Sequence, residues 1–439
     1  MVGPRITVEA RMINQYAGKK LLLLGGVRTA CEIIDEAKRM GVVVCVGDNR
    51  EDSPGKRIAD CGYMVDVTDV EAVVKLCDRE KIDGIITGHV DMLLPYCQQI
   101  CEKTGKPFWG NADNIQMSIN KEEFKTACEK TGVPVVPGKM ATKEDYREVL
   151  STVTPPVVIK PVDNSGSRGV CKCYKSEDLI HCAEQALSFS KRGEILIEEA
   201  MNPHKEFSVY YMMNHGRSYL TGMGDRYVSV IDDNTAPTGL GMLFPSVYLD
   251  EWKEKMDGKI KKFLADNEMN DGFVFIQGFY KEGSFYIHEI GYRINGGYSY
   301  KIIEHFSHYN QIQELIKFSL SGDMDKEELE KSDPNFKGYG MIVTASLAPG
   351  VIGKIAGVSE VERTEGVLQF FQLHDEGDSL LGNGTTAQVF AYILCAVKTE
   401  TEMKELVQTI AEKLSVTNIN GGNMLNPLVD PSKIVFKRC

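Results

Sequence analysis

Four consecutive leucines halting at a glycine pair, LLLLGG (Leu21–Gly26), constrain the chain most. Such a run fits a strand buried on both faces and closed by a tight turn. The next segments repeat the theme. TACEIIDEAKRMG has apolar residues at helical spacing and stops at Gly41, and VVVCVG is a second strand. DVEAVVKLCDREK is helical, DGIIT is a strand, and MLLPYCQQICEKTG is helical again. Strands and helices alternating in this way predict a doubly wound α/β layer: a parallel sheet with helices on both faces. Gly25, Gly26 and Asp48, about 20 residues apart, invite a dinucleotide reading. The text after the strand is GGVRTAC, however, and lacks G-x-G-x-x-G. An oxidoreductase binding NAD through residues 25–48 is the weaker alternative.

With 439 residues the chain has room for two or three domains, and 43% hydrophobic with 26% charged residues is ordinary globular composition. A net charge of -12 argues against nucleic acid or an anionic membrane as partner. No apolar run is long enough to span a bilayer, and MVGPRITVEARMINQYAGKK lacks the apolar core of a secretory signal, so a cytoplasmic location is expected. The 12 cysteines show no disulfide-like framework and are expected to be reduced thiols. Cys171, Cys173, His181 and Cys182 fit no common zinc spacing.

Past residue 115 the pattern changes. In SINKEEFKTACEKTGVPVVPG, Asn120 and Glu123 form a variant capping box, and Gly132 with Pro134 closes the helix. Lys121 lies in the first helical turn, where a positive charge opposes the macrodipole, so its placement suggests a task other than helix stability. VVIKPVDNSGSRGV carries Lys160 at the end of a strand and then a turn of glycines and serines whose backbone N–H groups can approach phosphates. It is not a Walker loop. EILIEEAM ends a strand in paired acids, Glu198 and Glu199, and Glu206 opens EFSVYYMM. A helix is expected from about Trp252 to Asp266. FVFIQGFYKEGSFYIHEIGYRINGG then reads as a hairpin, Phe273–Tyr280 and Ser284–Ile290, placing Gln277 and Glu289 where their oxygens can meet around a divalent cation. Arg293 follows and suits an anion or a transferring phosphoryl group. From about Gly340, short strands and one helix suggest a small α+β cap.

These pieces, in this order over about 170 residues, resemble the ATP-grasp superfamily. The likeness is greatest to the branch of the carbamoyl-phosphate synthase large chain, biotin carboxylase and the carboxylate–amine ligases. The resemblance covers most of the chain. It implies a mixed α/β and α+β fold: a Rossmann-like pre-ATP-grasp domain (1–115), a two-lobed ATP-grasp domain (116–335, lobes about 116–200 and 201–335) and a C-terminal cap (336–439). It also implies roles. Lys121, Lys160 and the turn Asn164, Ser165, Gly166, Ser167 and Gly169 would hold the ATP phosphates. Glu198 or Glu199, with the backbone of Ala200 and Met201, would read adenine, and Glu206 the ribose. Gln277 and Glu289 would bind Mg²⁺ or Mn²⁺. Arg293, with Lys160, would serve the acylphosphate chemistry. Asp225, Arg226, Gly296 and Gly297 are candidates for the acceptor pocket.

Relatives of this kind read Glu-x-Asn-x-Arg, with the asparagine as a further metal ligand; here that place is Gly291. Asn295 lies too far along the strand to replace it without a bend. A full carbamoyl-phosphate synthase needs two ATP-grasp halves, and RINGGYSY does not match the Arg-x-Gln-x-Glu-His of biotin carboxylases. The expected reaction is therefore ADP-forming ligation of a small carboxylic acid to an amine through an acylphosphate, with a homodimer admitted. A non-catalytic ATP-binding protein is the alternative.

Overall fold

The computed structural model describes residues 15–163, 169–229, 238–382 and 386–437. The first layer is the expected parallel sheet. Its strands lie in the order Cys61–Met64, Val43–Asp48, Lys20–Leu24, Gly84–Thr87, so the leucine strand is central. Leu21 to Leu24 are essentially inaccessible because helices cover both faces. Asp48 is spent inside this layer: it accepts from the Gly26 N–H at 2.8 Å and pairs with Arg50.

A second, four-stranded antiparallel sheet runs Gly138–Thr142, Glu194–Glu199, Val157–Pro161, Cys171–Cys173. Alternation sends Val157, Ile159, Ile195 and Ile197 into a small core with Cys171 and Cys173. Lys160 and Glu198 consequently share the opposite face. The expectation of reduced thiols fails here. Cys171 and Cys182 form a disulfide, Cα to Cα 5.4 Å, because the helix Leu179–Phe189 lies on the strand Cys171–Cys173.

The largest element is an eight-stranded antiparallel sheet. Its order is Ser284–Gly291, Gly272–Lys281, Glu206–Asn214, Arg217–Ser229, Thr238–Phe244, Tyr339–Ser346, Val389–Val397, Val367–Gln372. Three strands of the C-terminal α+β cap thus extend the sheet that carries the hairpin Gly272–Lys281 and Ser284–Gly291, while Ser379–Leu380, Gly350–Ala356 and Ser415–Asn418 form a separate three-stranded sheet. The single helix expected from Trp252 to Asp266 is two, Leu249–Lys255 and Asp257–Asp266. Met256, 2% exposed, leaves helical geometry to enter the core. No helix among the described residues is long and apolar enough to cross a membrane.

Candidate active site

The helix Lys121–Thr131 meets the hairpin and the small sheet at one cavity. Asn120 caps this helix by accepting from the N–H groups of Glu122 and Glu123. The box is only half formed, since the Glu123 carboxylate takes the Gln116 amide instead, 3.1 Å. A cavity of about 250 Å³ follows, lined among others by Lys121, Asp163, Asp91, His288 and Glu289. Burial pushes the Lys121 ammonium down, and the nearby Glu289 carboxylate opposes that shift. Asp163 is held as an acceptor by Ser190 Oγ and the N–H groups of Lys191 and Arg192, at 2.8–3.1 Å.

On the small sheet, Glu198 is 4% exposed and lies between two lysines. Lys160 Nζ is 2.5 Å from Oε2 and Lys125 Nζ is 2.6 Å from Oε1. Burial raises this carboxyl, but the two ammonium groups outweigh it and leave it below the usual range. Glu199 turns outward to Lys281, 2.6 Å. The Ala200 N–H donates to Pro156 O at 3.1 Å, and Met201 follows on the connection to the turn Pro203–Lys205. Gly169 has φ +77°, and a Cβ there would sit 2.7 Å from the Cβ of Phe189. Asn164, Ser165, Gly166 and Ser167 lie outside the described residues.

On the large sheet, Glu206 is buried against Arg226, Nη1 to Oε1 2.6 Å, with His288 Nε2 at 3.6 Å. Burial raises the Glu206 carboxyl, yet the guanidinium and the imidazole override this and bring it down to about 2. His288 stacks on Phe279 at 4.9 Å. It holds that position because the pairing shifts between Gln277 and Gly278, so Gly278 pairs with Ile287 while Gln277 pairs with Glu289. The irregularity makes Gln277 and Glu289 direct neighbours on one face. These two oxygen-bearing side chains fit a hard cation of the Mg²⁺ type, which takes one or two protein oxygens and completes its shell with water and phosphate.

Arg293 is already engaged. Nε and Nη2 donate to the two oxygens of Asp91 at 2.6 Å each, and Nη1 donates to Ile294 O at 2.9 Å. Asp225 and Arg226 alternate across their strand, so they form no pair with each other. Asp225 faces inward, accepting from Ser246 Oγ (2.5 Å) and the Val247 N–H (2.8 Å), and burial lifts its carboxyl to about 6. Both residues border a second cleft of about 700 Å³, shared with Lys205, Tyr248, Leu240 and Leu428. Gly296 and Gly297 form the turn before the helix Ser299–Ser307. Asn295 Oδ1 accepts from Ser299 Oγ (2.7 Å) and the Gly297 N–H (3.3 Å), so Asn295 serves this turn rather than the hairpin.

Four side chains in this region escaped sequence reading: Asp91, Lys125, Lys172 and His288. Lys125 was the most accessible of them, one helical turn after Lys121 and so on the same helix face. Lys172 pairs with Val158, which pairs with Glu198, so it lies on the same sheet face as Glu198.

Residues 120–217 match the family model for the ATP-binding domain of the carbamoyl-phosphate synthase L chain. A formate-dependent phosphoribosylglycinamide formyltransferase of Maridesulfovibrio salexigens is 27% identical over 215 residues, 48% of this chain and 54% of that protein. The chain thus spans about half the length of the curated relatives it matches, 54% and 49% for the first two. An L-amino acid ligase from Bacillus licheniformis superposes with a TM-score of 0.79 at 17% identity, covering 92% of this chain and 99% of the other. The biotin carboxylase domain of Hydrogenobacter thermophilus 2-oxoglutarate carboxylase, solved with MgADP, ADP and bicarbonate, gives 0.74 at 18%, covering 92% and 91%. The overall architecture is that of these structures.

Proposed function

We propose that the chain is a member of the ATP-grasp superfamily and an ADP-forming ligase that joins a carboxylic acid to an amine through an acylphosphate; the family match over residues 120–217 and the shared fold support this reading. The observation that carries this reading is the convergence of Lys121, Glu289 and Asp91, the partner of Arg293, on one cavity, with Lys160 close enough to act on the Lys121 charge. Phosphoryl transfer asks a protein mainly for positioning and charge neutralisation, and these residues come from three separate layers to supply both. Lys121 and Lys160 would take the phosphate oxygens, Lys160 exchanging its hold on Glu198 for them. Val158 and Glu198 form the inner wall for the base, with Lys172 behind, and Glu206, fixed by Arg226, takes ribose hydroxyls. Gln277 and Glu289 would hold Mg²⁺ or Mn²⁺, which supplies charge neutralisation on the phosphates. Arg293, oriented by Asp91, faces the carboxylate being activated.

In this reading, residues 1–115 and 116–335 are the two domains that meet at the cavity, and 336–439 are a third, the cap, three of whose strands continue the large sheet. The likeness to an L-amino acid ligase supports an amino acid as one of the two partners. The 700 Å³ cleft beside Arg226 is the proposed acceptor pocket.

The test is ADP and phosphate release from MgATP with mixtures of amino acids and small carboxylic acids. Lys160→Ala and Glu289→Gln are each expected to lower turnover by about 10²-fold or more, the scale for losing one charge-stabilising group. Unchanged turnover in both variants overturns the site. ATP binding without stimulated turnover by any acceptor supports a binding-only protein.

A further inference from the structure

The rung of the hairpin next to Gln277 and Glu289 is occupied in an unusual way. Phe275 pairs with Gly291, so the two lie on the same face as Gln277 and Glu289. The Phe275 ring lies flat across the glycine: a Cβ at residue 291 would sit 2.2 Å from both Cε1 and Cζ. Real Cβ atoms never come that close, so any side chain at 291 requires the ring to leave. Phe275 is 8% exposed and belongs to the main core, and so has no solvent position to swing into. The same ring carries the Arg293 guanidinium, 5.1 Å from its centroid. Asp91 holds that guanidinium in place with two hydrogen bonds of 2.6 Å.

The sequence of groups along this face is therefore oxygen donors, then an aromatic ring, then a fixed cation. A hard divalent ion needs oxygen ligands, and a ring offers none. A guanidinium above a ring is favourable in itself, and most so when desolvated. Arg293, 11% exposed, meets that condition.

We propose that the protein holds one divalent cation, on Gln277 and Glu289, and that Arg293 stacked on Phe275 occupies the place where a neighbouring second ion would need ligands. This rests on the functional reading above. The second positive charge beside the reacting groups is thus built into the chain, and its presence does not depend on metal concentration. It also explains Gly291, whose role is to make room for the ring rather than to relax the backbone.

The experiment is Mn²⁺ titration of the full chain saturated with a non-hydrolysable ATP analogue, read by electron paramagnetic resonance. One bound ion per chain, with an uncoupled six-line spectrum, is expected. Two ions, or the split spectrum of a coupled Mn²⁺ pair, overturns the inference and leaves the ligase reading intact. Failure to bind the analogue overturns the ligase reading itself. Gly291→Asn alone is expected to destabilise the fold, because the new Cβ and the ring claim the same space; a variant as stable as wild type shows that the ring does not fill the site. Phe275→Ala combined with Gly291→Asn is expected to bind two. A folded double variant that stays at one shows that the ring is not what excludes the second ion. If the double variant does not fold, the wild-type count decides.

Discussion

Replacing Glu198 by glutamine removes one charge and almost no volume. Its consequence follows from the two ammonium groups at 2.5 and 2.6 Å. Breaking a buried ion pair by neutralising one partner costs about 3–5 kcal/mol, because the other charge is left in a poor solvent. Here two charges are left, Lys160 at 8% and Lys125 at 12% exposure. Lys125 keeps the Val136 carbonyl at 2.6 Å, and the glutamine oxygen can still serve one lysine. These residual contacts place the expected loss near the lower end, about 3 kcal/mol. The natural readout is hydrogen exchange of the amides in Val157–Pro161 and Glu194–Glu199, which reports local opening. Protection at pH 7 should fall by roughly two orders of magnitude, since about 1.4 kcal/mol is tenfold.

The pH dependence has a definite sign. The folded Glu198 carboxyl lies below its ordinary value, so its contribution is complete above the unfolded value of about 4.3 and fades as pH falls through the depressed folded value. The gap between wild type and Glu198→Gln should therefore close in acid. Saturating ATP should narrow it at pH 7 by giving Lys160 another anion. A protection loss under tenfold at pH 7, or a gap independent of pH, refutes the account.

Two further outcomes can be measured. Asp225 titrates in the opposite direction: its folded carboxyl is lifted to about 6, so stability falls as pH rises from about 4 to 6 and the cost, about 3 kcal/mol, is complete above that. Asp225→Asn should flatten that limb in a urea series, leaving the Glu206 pair's acid loss visible; an unchanged limb counts against the assignment. Asp91→Asn leaves Arg293 charged but loosely held, and a misplaced catalytic group costs roughly 10²-fold. ADP release should fall by that order while affinity for ATP stays the same; full turnover would show that Arg293 needs no such support.

Features carried by local pattern were legible in the sequence. The leucine strand, the cap at Asn120, and the ordered Lys121, Lys160, Glu206 and Glu289 all follow from residues a few positions apart. The ATP-grasp resemblance came from that order and is borne out. The missed features depend on distance or register. Asp91 reaches Arg293 across 202 positions, from a different layer. Plain counting back from the turn at Lys281 and Ser284 would place Gln277 opposite His288. The shift between Gln277 and Gly278 moves that partner to Glu289 and puts Phe275 over Gly291. One extra residue in a strand is invisible to alternation, yet it decides which side chains meet. Neighbours in a strand point apart, so the partners of Asp225 and Arg226, Ser246 and Glu206, were likewise out of reach of local pattern.

One connection links the layers mechanically. Residues between the helix Lys121–Thr131 and the small sheet run alongside the outermost strand of the large one: Ile287 N–H donates to Pro134 O at 2.9 Å and Val136 N–H to Ile287 O at 3.0 Å. The segment shields a strand edge that would otherwise be open to another chain. The same two hydrogen bonds would serve as a hinge pin. Swinging the small sheet about this pin would carry Lys160 and Glu198 through an arc. Lys121 and Glu289 lie beside the axis and would scarcely move. Closure over a nucleotide would then be a movement of one wall toward a stationary floor.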